Sequence, residues 1–160
     1  MSECLFCRLV AGAVPSFVFW EDERHLAFLS PFPNTRGFSV VATKAHHSSD
    51  ALAVPQDVFS AIFLAGREAA AVMRDRFHDV GRVGMILEGL GIDHLHIKLF
   101  PMHGTADLRA GWRPIKSNVD VYFEKYEGYI SSHDYRRAED AELREVQALL
   151  VGGGQRSDEG

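Results

Sequence analysis

Hydrophobic positions along the chain change period twice. In "PSFVFWEDERHLAFLSPFP" two short apolar β segments, at about 17–21 and 25–30, flank the polar turn Asp22–Arg24. "GFSVVATKAHH" is β-branched after Gly37 and predicts a third strand ending near Lys44. The period then lengthens. Val58, Ile62, Ala65, Ala69, Met73 and Phe77 recur at three- and four-residue steps, which predicts a long amphipathic helix with Pro55 in its first turn. "RVGMILEG" and "DHLHIKLF" are two more strand candidates, separated by the glycine-rich reversal "GLGI". "VDVYFEKYEGYIS" is read as a strand or a docked loop. "RRAEDAELREVQALLV" is a terminal helix with Leu143, Val146, Leu149 and Leu150 on one side, and residues 152–160 are a disordered tail. Strands dominate one half of the chain and a long helix interrupts them, so the expected class is α+β. The expected organisation is one domain over 1–151, with a core at about 4–103 and an extension at 104–151.

Composition narrows the partners. Apolar residues make up 46% and charged residues 24%, and the net charge is −5 with histidines neutral. An acidic chain without a basic stripe argues against general nucleic-acid binding. No stretch approaches the roughly 20 apolar residues of a membrane span, and the start lacks the parts of a signal peptide. The expected setting is cytoplasmic, with Cys4 and Cys7 as thiols or metal ligands rather than a structural bridge.

The candidate chemistry lies in "GIDHLHIKLFPMHG". Strand alternation puts His94, His96, Lys98 and Phe100 on one face and Leu95, Ile97 and Leu99 on the other. Spacing alone leaves two readings. His94 and His96 chelate a catalytic metal completed by His103 or Glu88, or one imidazole attacks phosphorus while its neighbours hold phosphate oxygens. Lys98 favours the second, because a cation repels a catalytic metal but stabilises phosphate charge.

"CLFCRLVAGAVPSFVFWEDERHLAFL", "GFSVVATKAHH" and "HLHIKLFP", in this order, resemble the histidine-triad family of nucleotide hydrolases and transferases. The resemblance implies a five-stranded antiparallel sheet with two main helices, paired into a homodimer, and attack at the α-phosphate of a small nucleotide-type substrate through a covalent histidine intermediate. His96 takes the place of the nucleophile, His94 that of the first triad histidine, Lys98 that of the third, and His46 that of the upstream histidine. Cys4, Cys7, His46 and His94 match the ligands of a structural zinc in some bacterial members. Ser30 stands where the family has a ribose-binding aspartate, and with Glu88 and His103 it completes the expected substrate contacts. His103 is the expected leaving-group proton donor, since an ordinary imidazole titrates near neutral pH. Departures are also legible. Leu87 replaces an asparagine, and "EGLGID" is too short for the Gly-Gln-Ser element that cradles phosphate. These losses keep a second reading open: a non-catalytic nucleotide-binding or scaffold protein.

Overall fold

The computed structural model describes residues 4–118, 120–126 and 135–152. Its elements are α1 (Leu5–Val10), β1 (Phe17–Glu21), β2 (His25–Leu29), β3 (Ser39–Thr43), α2 (Gln56–Arg76), β4 (Arg82–Ile86), β5 (His96–Met102), a 3-10 turn at Ala106–Arg109, and α3 (Asp140–Val151). The five strands form one antiparallel sheet in the order β1-β2-β3-β5-β4.

One sheet face carries the main core. Ala27, Leu29, Val41, Ile97 and Leu99 point to α2 and α3, where Val58, Ile62, Ala69, Met73, Leu143, Val146 and Leu150 meet them. Helix α2 begins after Pro55, whose fixed φ and missing N–H suit a helix entrance. Asp57 in its first turn and Arg74 and Arg76 in its last complement the helix dipole. Small residues let it lie close. A Cβ built on Gly66 would stand 2.2 Å from Cδ1 of Ile97.

The opposite face is covered by α1. Phe6 and Leu9 pack on Leu26, Phe28, Val40 and Ala42 in a second, smaller core. Pairing sets Ala42 opposite His96 and Val40 opposite Lys98, with Phe28 opposite Val40. The histidine–lysine face of β5 therefore continues into an apolar floor.

The C-terminal chain returns to the far end of that floor. Ala138 donates its N–H to the Pro31 carbonyl at 2.8 Å, and Gln147 Nε2 donates to the Val18 carbonyl at 2.6 Å.

Several expectations shift. Helix α1 is too short for its period to be read from sequence, and it forms because its apolar side caps the second core. Strand β5 starts at His96, not near residue 93. Gly89 and Gly91 take φ of +69° and +89° in the preceding loop, which bends rather than extends. In α3 the buried positions are Leu143, Val146 and Leu150, while Leu149 is exposed. Residues 120–126 hold no strand. The rest of the 119–131 expectation, and the tail from 153 onward, fall outside the described residues.

Candidate functional site

Cys4 caps α1 and Cys7 lies three residues on, so one helical turn brings both thiols to one side. His46 sits in the loop after β3. That loop is pinned where Leu95 donates its N–H to the His47 carbonyl at 2.9 Å and where Asp93 accepts the Ser49 N–H at 2.8 Å. His94 occupies the bend before β5 and is fully buried. Its Nε2 lies 2.7 Å from the Thr43 carbonyl, an acceptor, so Nε2 carries the proton and Nδ1 keeps its lone pair. That Nδ1 faces Cys4 Sγ at 3.3 Å and Cys7 Sγ at 3.6 Å, while His46 Nδ1 is 3.4 Å from Cys7 Sγ.

The four ligand atoms lie within 4.8 Å of one another. A tetrahedral ion with N and S ligands at about 2.0–2.3 Å holds them about 3.3–3.8 Å apart, so the set fits a metal. Burial, the largest influence, pushes the His94 imidazole below its usual range, with His46, His96 and His47 adding to the shift and the Thr43 bond opposing it. The neutral form is the one that coordinates.

His96 is buried and turned the other way. Its Nδ1 is 2.7 Å from the His94 carbonyl, so Nδ1–H donates and Nε2 is left unprotonated. Burial lowers its pKa first. The His94 bond and Glu88 oppose this, and Lys98 reinforces it. The edge of Phe6 packs against both imidazoles, with ring centroids 5.7 Å from His94 and 5.2 Å from His96.

His96 and Lys98 line a cavity of about 550 Å³, with Phe28 and Val40 on its floor and Ser30 at its far end. Lys98 Nζ donates to Glu88 Oε1, and the two side chains are 16% and 5% exposed. The lysine is thus held by a buried carboxylate rather than by solvent. Ser30 is buried and its hydroxyl accepts the Phe32 N–H at 3.1 Å.

The structure does not bring His103 to this group. It follows β5 seven residues beyond His96, about 20 Å away along a strand. Its Nδ1 contacts the Asp79 carboxylate at 3.1 Å and its Nε2 the Arg36 carbonyl at 2.8 Å, so both nitrogens already have partners. The role of leaving-group donor is therefore withdrawn for His103. A metal centre built on His94, His96 and His103 does not form either, for the same reason of distance. Glu88, expected as a substrate contact, holds Lys98 and lines a separate groove with Ser49 and Leu87.

Sequence reading missed Thr43, which sets the His94 tautomer, and Arg137 and Asp140, which line the cavity from the C-terminal segment. The alternation of "SVVAT" held a signal for the floor at Val40. Nothing local signalled Arg137, because its position depends on a chain return across more than 100 residues.

Comparison with known proteins adds a family. The HIT domain family model matches residues 11–105. "Protein hit" of Bacillus subtilis (strain 168) is 30% identical over 124 residues, covering 74% of this chain and 83% of that protein. Adenosine 5'-monophosphoramidase HNT1 of Saccharomyces cerevisiae is 27% identical over 119 residues, covering 73% of this chain and 74% of its own. In three dimensions the chain is similar to the crystal structure of a Zn-bound histidine triad family protein from Mycobacterium smegmatis. The TM-score is 0.60 at 21% identity, over 94% of each chain, which is a likeness of fold.

Proposed function

The chain belongs to the HIT domain family, and we propose that it is a nucleotide hydrolase or nucleotidyl transferase acting at the α-phosphate, with His96 as the nucleophile. One observation carries this reading: the hydrogen bond from His96 Nδ1–H to the His94 carbonyl, which reserves a lone pair on Nε2 in a residue that lines the cavity. Nε2 attacks phosphorus, the bond to the leaving group breaks, and a nucleotidyl-histidine forms. Water then attacks the same phosphorus and returns the electron pair to Nε2, releasing a nucleoside monophosphate. Burial supports the first step, because a nucleophile kept neutral needs no deprotonation.

Lys98 supplies positive charge beside the reacting phosphate, in place of backbone donors that the short 88–93 loop lacks. The apolar floor takes the nucleoside, with Ser30 at its far end.

Cys4, Cys7, His46 and His94 are the ligands of a structural zinc in this reading. A closed N/S set supplies cross-linking rather than Lewis acidity. His46 and His94 then act by position: His94 offers its carbonyl to His96 while its ring is held by Thr43 and the metal site.

The experiment is incubation with adenylyl and guanylyl substrates, watching for nucleoside monophosphate. Wild type should release it and His96→Ala should not. Equal release by both would remove His96 from the mechanism.

A further inference from the structure

Two cysteines frame the helix that walls the cavity. Cys4 stands at the N-cap of α1 and Cys7 three residues on, with Phe6 between them in sequence. The Phe6 ring meets both imidazoles edge-on, and with Leu5 and Leu9 it forms the α1 side of the cavity that His96 lines. Under this cover His96 is 5% exposed.

Helix α1 does not hold this place by itself. Its six residues are far below the roughly 12–15 that an isolated helix needs in water. Phe6 and Leu9 supply an apolar hold on Leu26, Phe28, Val40 and Ala42. The thiols supply a polar one: Cys4 Sγ lies 3.3 Å from His94 Nδ1, and Cys7 Sγ lies 3.4 Å from His46 Nδ1. Both cysteines are half-buried, so a small oxidant reaches them. Their sulfurs are no more than 4.8 Å apart. N-cap and N3 face one another at a helix start, and rotation of the two side chains closes the gap.

A thiol pair so placed has two states. Reduced, the sulfurs point at imidazoles or at a metal shared with them. Joined to each other, they offer no thiolate to either.

We propose that Cys4 and Cys7 are a redox modification site: hydrogen peroxide converts them to an intrahelical disulfide, which unties α1 from His46 and His94 and opens the cavity at His96. One sulfur attacks a peroxide oxygen, the O–O bond breaks, and water leaves as a sulfenic acid forms. The second sulfur attacks the sulfenic sulfur, the S–O bond breaks, and a second water leaves. In total the two thiols lose two electrons and two protons, and the peroxide gains them. A dithiol reductant runs the pair back. Oxidation also removes two of the four metal ligands in the same act. None of these steps requires the nucleotide chemistry proposed for His96.

The test treats the full chain with hydrogen peroxide and then with dithiothreitol, reading thiols, helix and cavity separately. The peptide carrying both cysteines should lose the mass of two hydrogen atoms, and bound zinc should pass to a chromogenic chelator. Amide exchange across residues 5–10 should speed up at least about tenfold. Carbethoxylation of His96 by diethyl pyrocarbonate should rise several-fold. Every change should reverse with dithiothreitol, which leaves methionine sulfoxide untouched. Cys7→Ser should show no peroxide response in exchange or carbethoxylation, whatever its starting values. A disulfide that forms while exchange and His96 labelling keep their reduced values overturns the coupling to α1. Sulfinic acids or intermolecular disulfides in its place overturn the redox pair. If protein purified without zinc still closes the disulfide and loosens α1, the metal reading falls and the redox site stands.

Discussion

At the scale of single residues, the site is organised by hydrogen bonds that fix tautomers. His94 gives Nε2–H to Thr43 and turns Nδ1 to the cysteines, while His96 gives Nδ1–H to His94 and keeps Nε2 free of a proton. The two imidazoles are neighbours in sequence with opposite orientations. Metal analysis tests the first. Purified protein should carry about one zinc per chain, and Cys4→Ser/Cys7→Ser should lose it together with stability. Zinc retained unchanged in the double variant would refute the ligand set. A second residue-scale prediction concerns pH. Burial raises the Asp22 carboxyl, but the His25 side chain, the backbone N–H groups of Arg24 and His25, and the His25 charge outweigh it, leaving the pKa lowered. A carboxyl depressed by folding stabilises the fold above its ordinary range, and that contribution is lost as pH falls through the folded value. Asp22 is partly exposed, so Asp22→Asn should cost only about 1 kcal/mol at pH 7. The gap to wild type should close below about pH 4 in thermal melts. A gap independent of pH would assign the effect to the turn geometry alone.

At the scale of elements, the helices sit close because small residues let them. Ala at position 66 would gain about 1 kcal/mol of helix propensity. Its Cβ would meet the fully buried Ile97, however, and overpacking costs about 1–3 kcal/mol, so Gly66→Ala should be destabilising on balance. Gly81 is tighter still: an added Cβ would lie 1.9 Å from the Thr105 carbonyl oxygen, which is backbone and yields less readily than a side-chain tip. Denaturant melts should rank Gly81→Ala below Gly66→Ala in stability, and the reverse order would contradict this packing account. Much at this scale was legible beforehand. β-Branched runs and three- and four-residue steps marked the five strands, α2 and, Leu149 apart, the side of α3 that is buried. The start of β5 was not, because alternation in "DHLHIKLF" runs straight through a bend that the positive φ of Gly89 and Gly91 imposes. Helix α1 was not legible either, since six residues give a period no room to show.

At the scale of the whole molecule, the cavity joins segments distant in sequence: α1 above, β2, β3 and β5 below, and the C-terminal segment at one end. Strand alternation marked His96 and Lys98 as candidates and the family resemblance pointed to Ser30, and all three line one cavity. The Arg137 side of that cavity required the fold itself. No helix of the described residues is long and apolar enough to cross a membrane. Strand β4 is an edge, and exposed Met85 lies on it, with Phe59 and Leu64 exposed on α2. Unpaired edges of this kind invite a second sheet, and a homodimer is the expected state. Light scattering at micromolar concentration should give twice the chain mass of 17.8 kDa, and a monomer would count against pairing. The central claim is covalent chemistry at His96. Its most direct measurement is intact-chain mass after mixing with a nucleotide substrate and quenching rapidly under alkaline denaturing conditions, which preserve a P–N bond. Wild type should gain the mass of one nucleotidyl group, located at residue 96 by peptide mapping, and His96→Ala should gain none. A nucleotidyl adduct of equal yield in His96→Ala, or product release with no adduct at any time in wild type, would contradict the account.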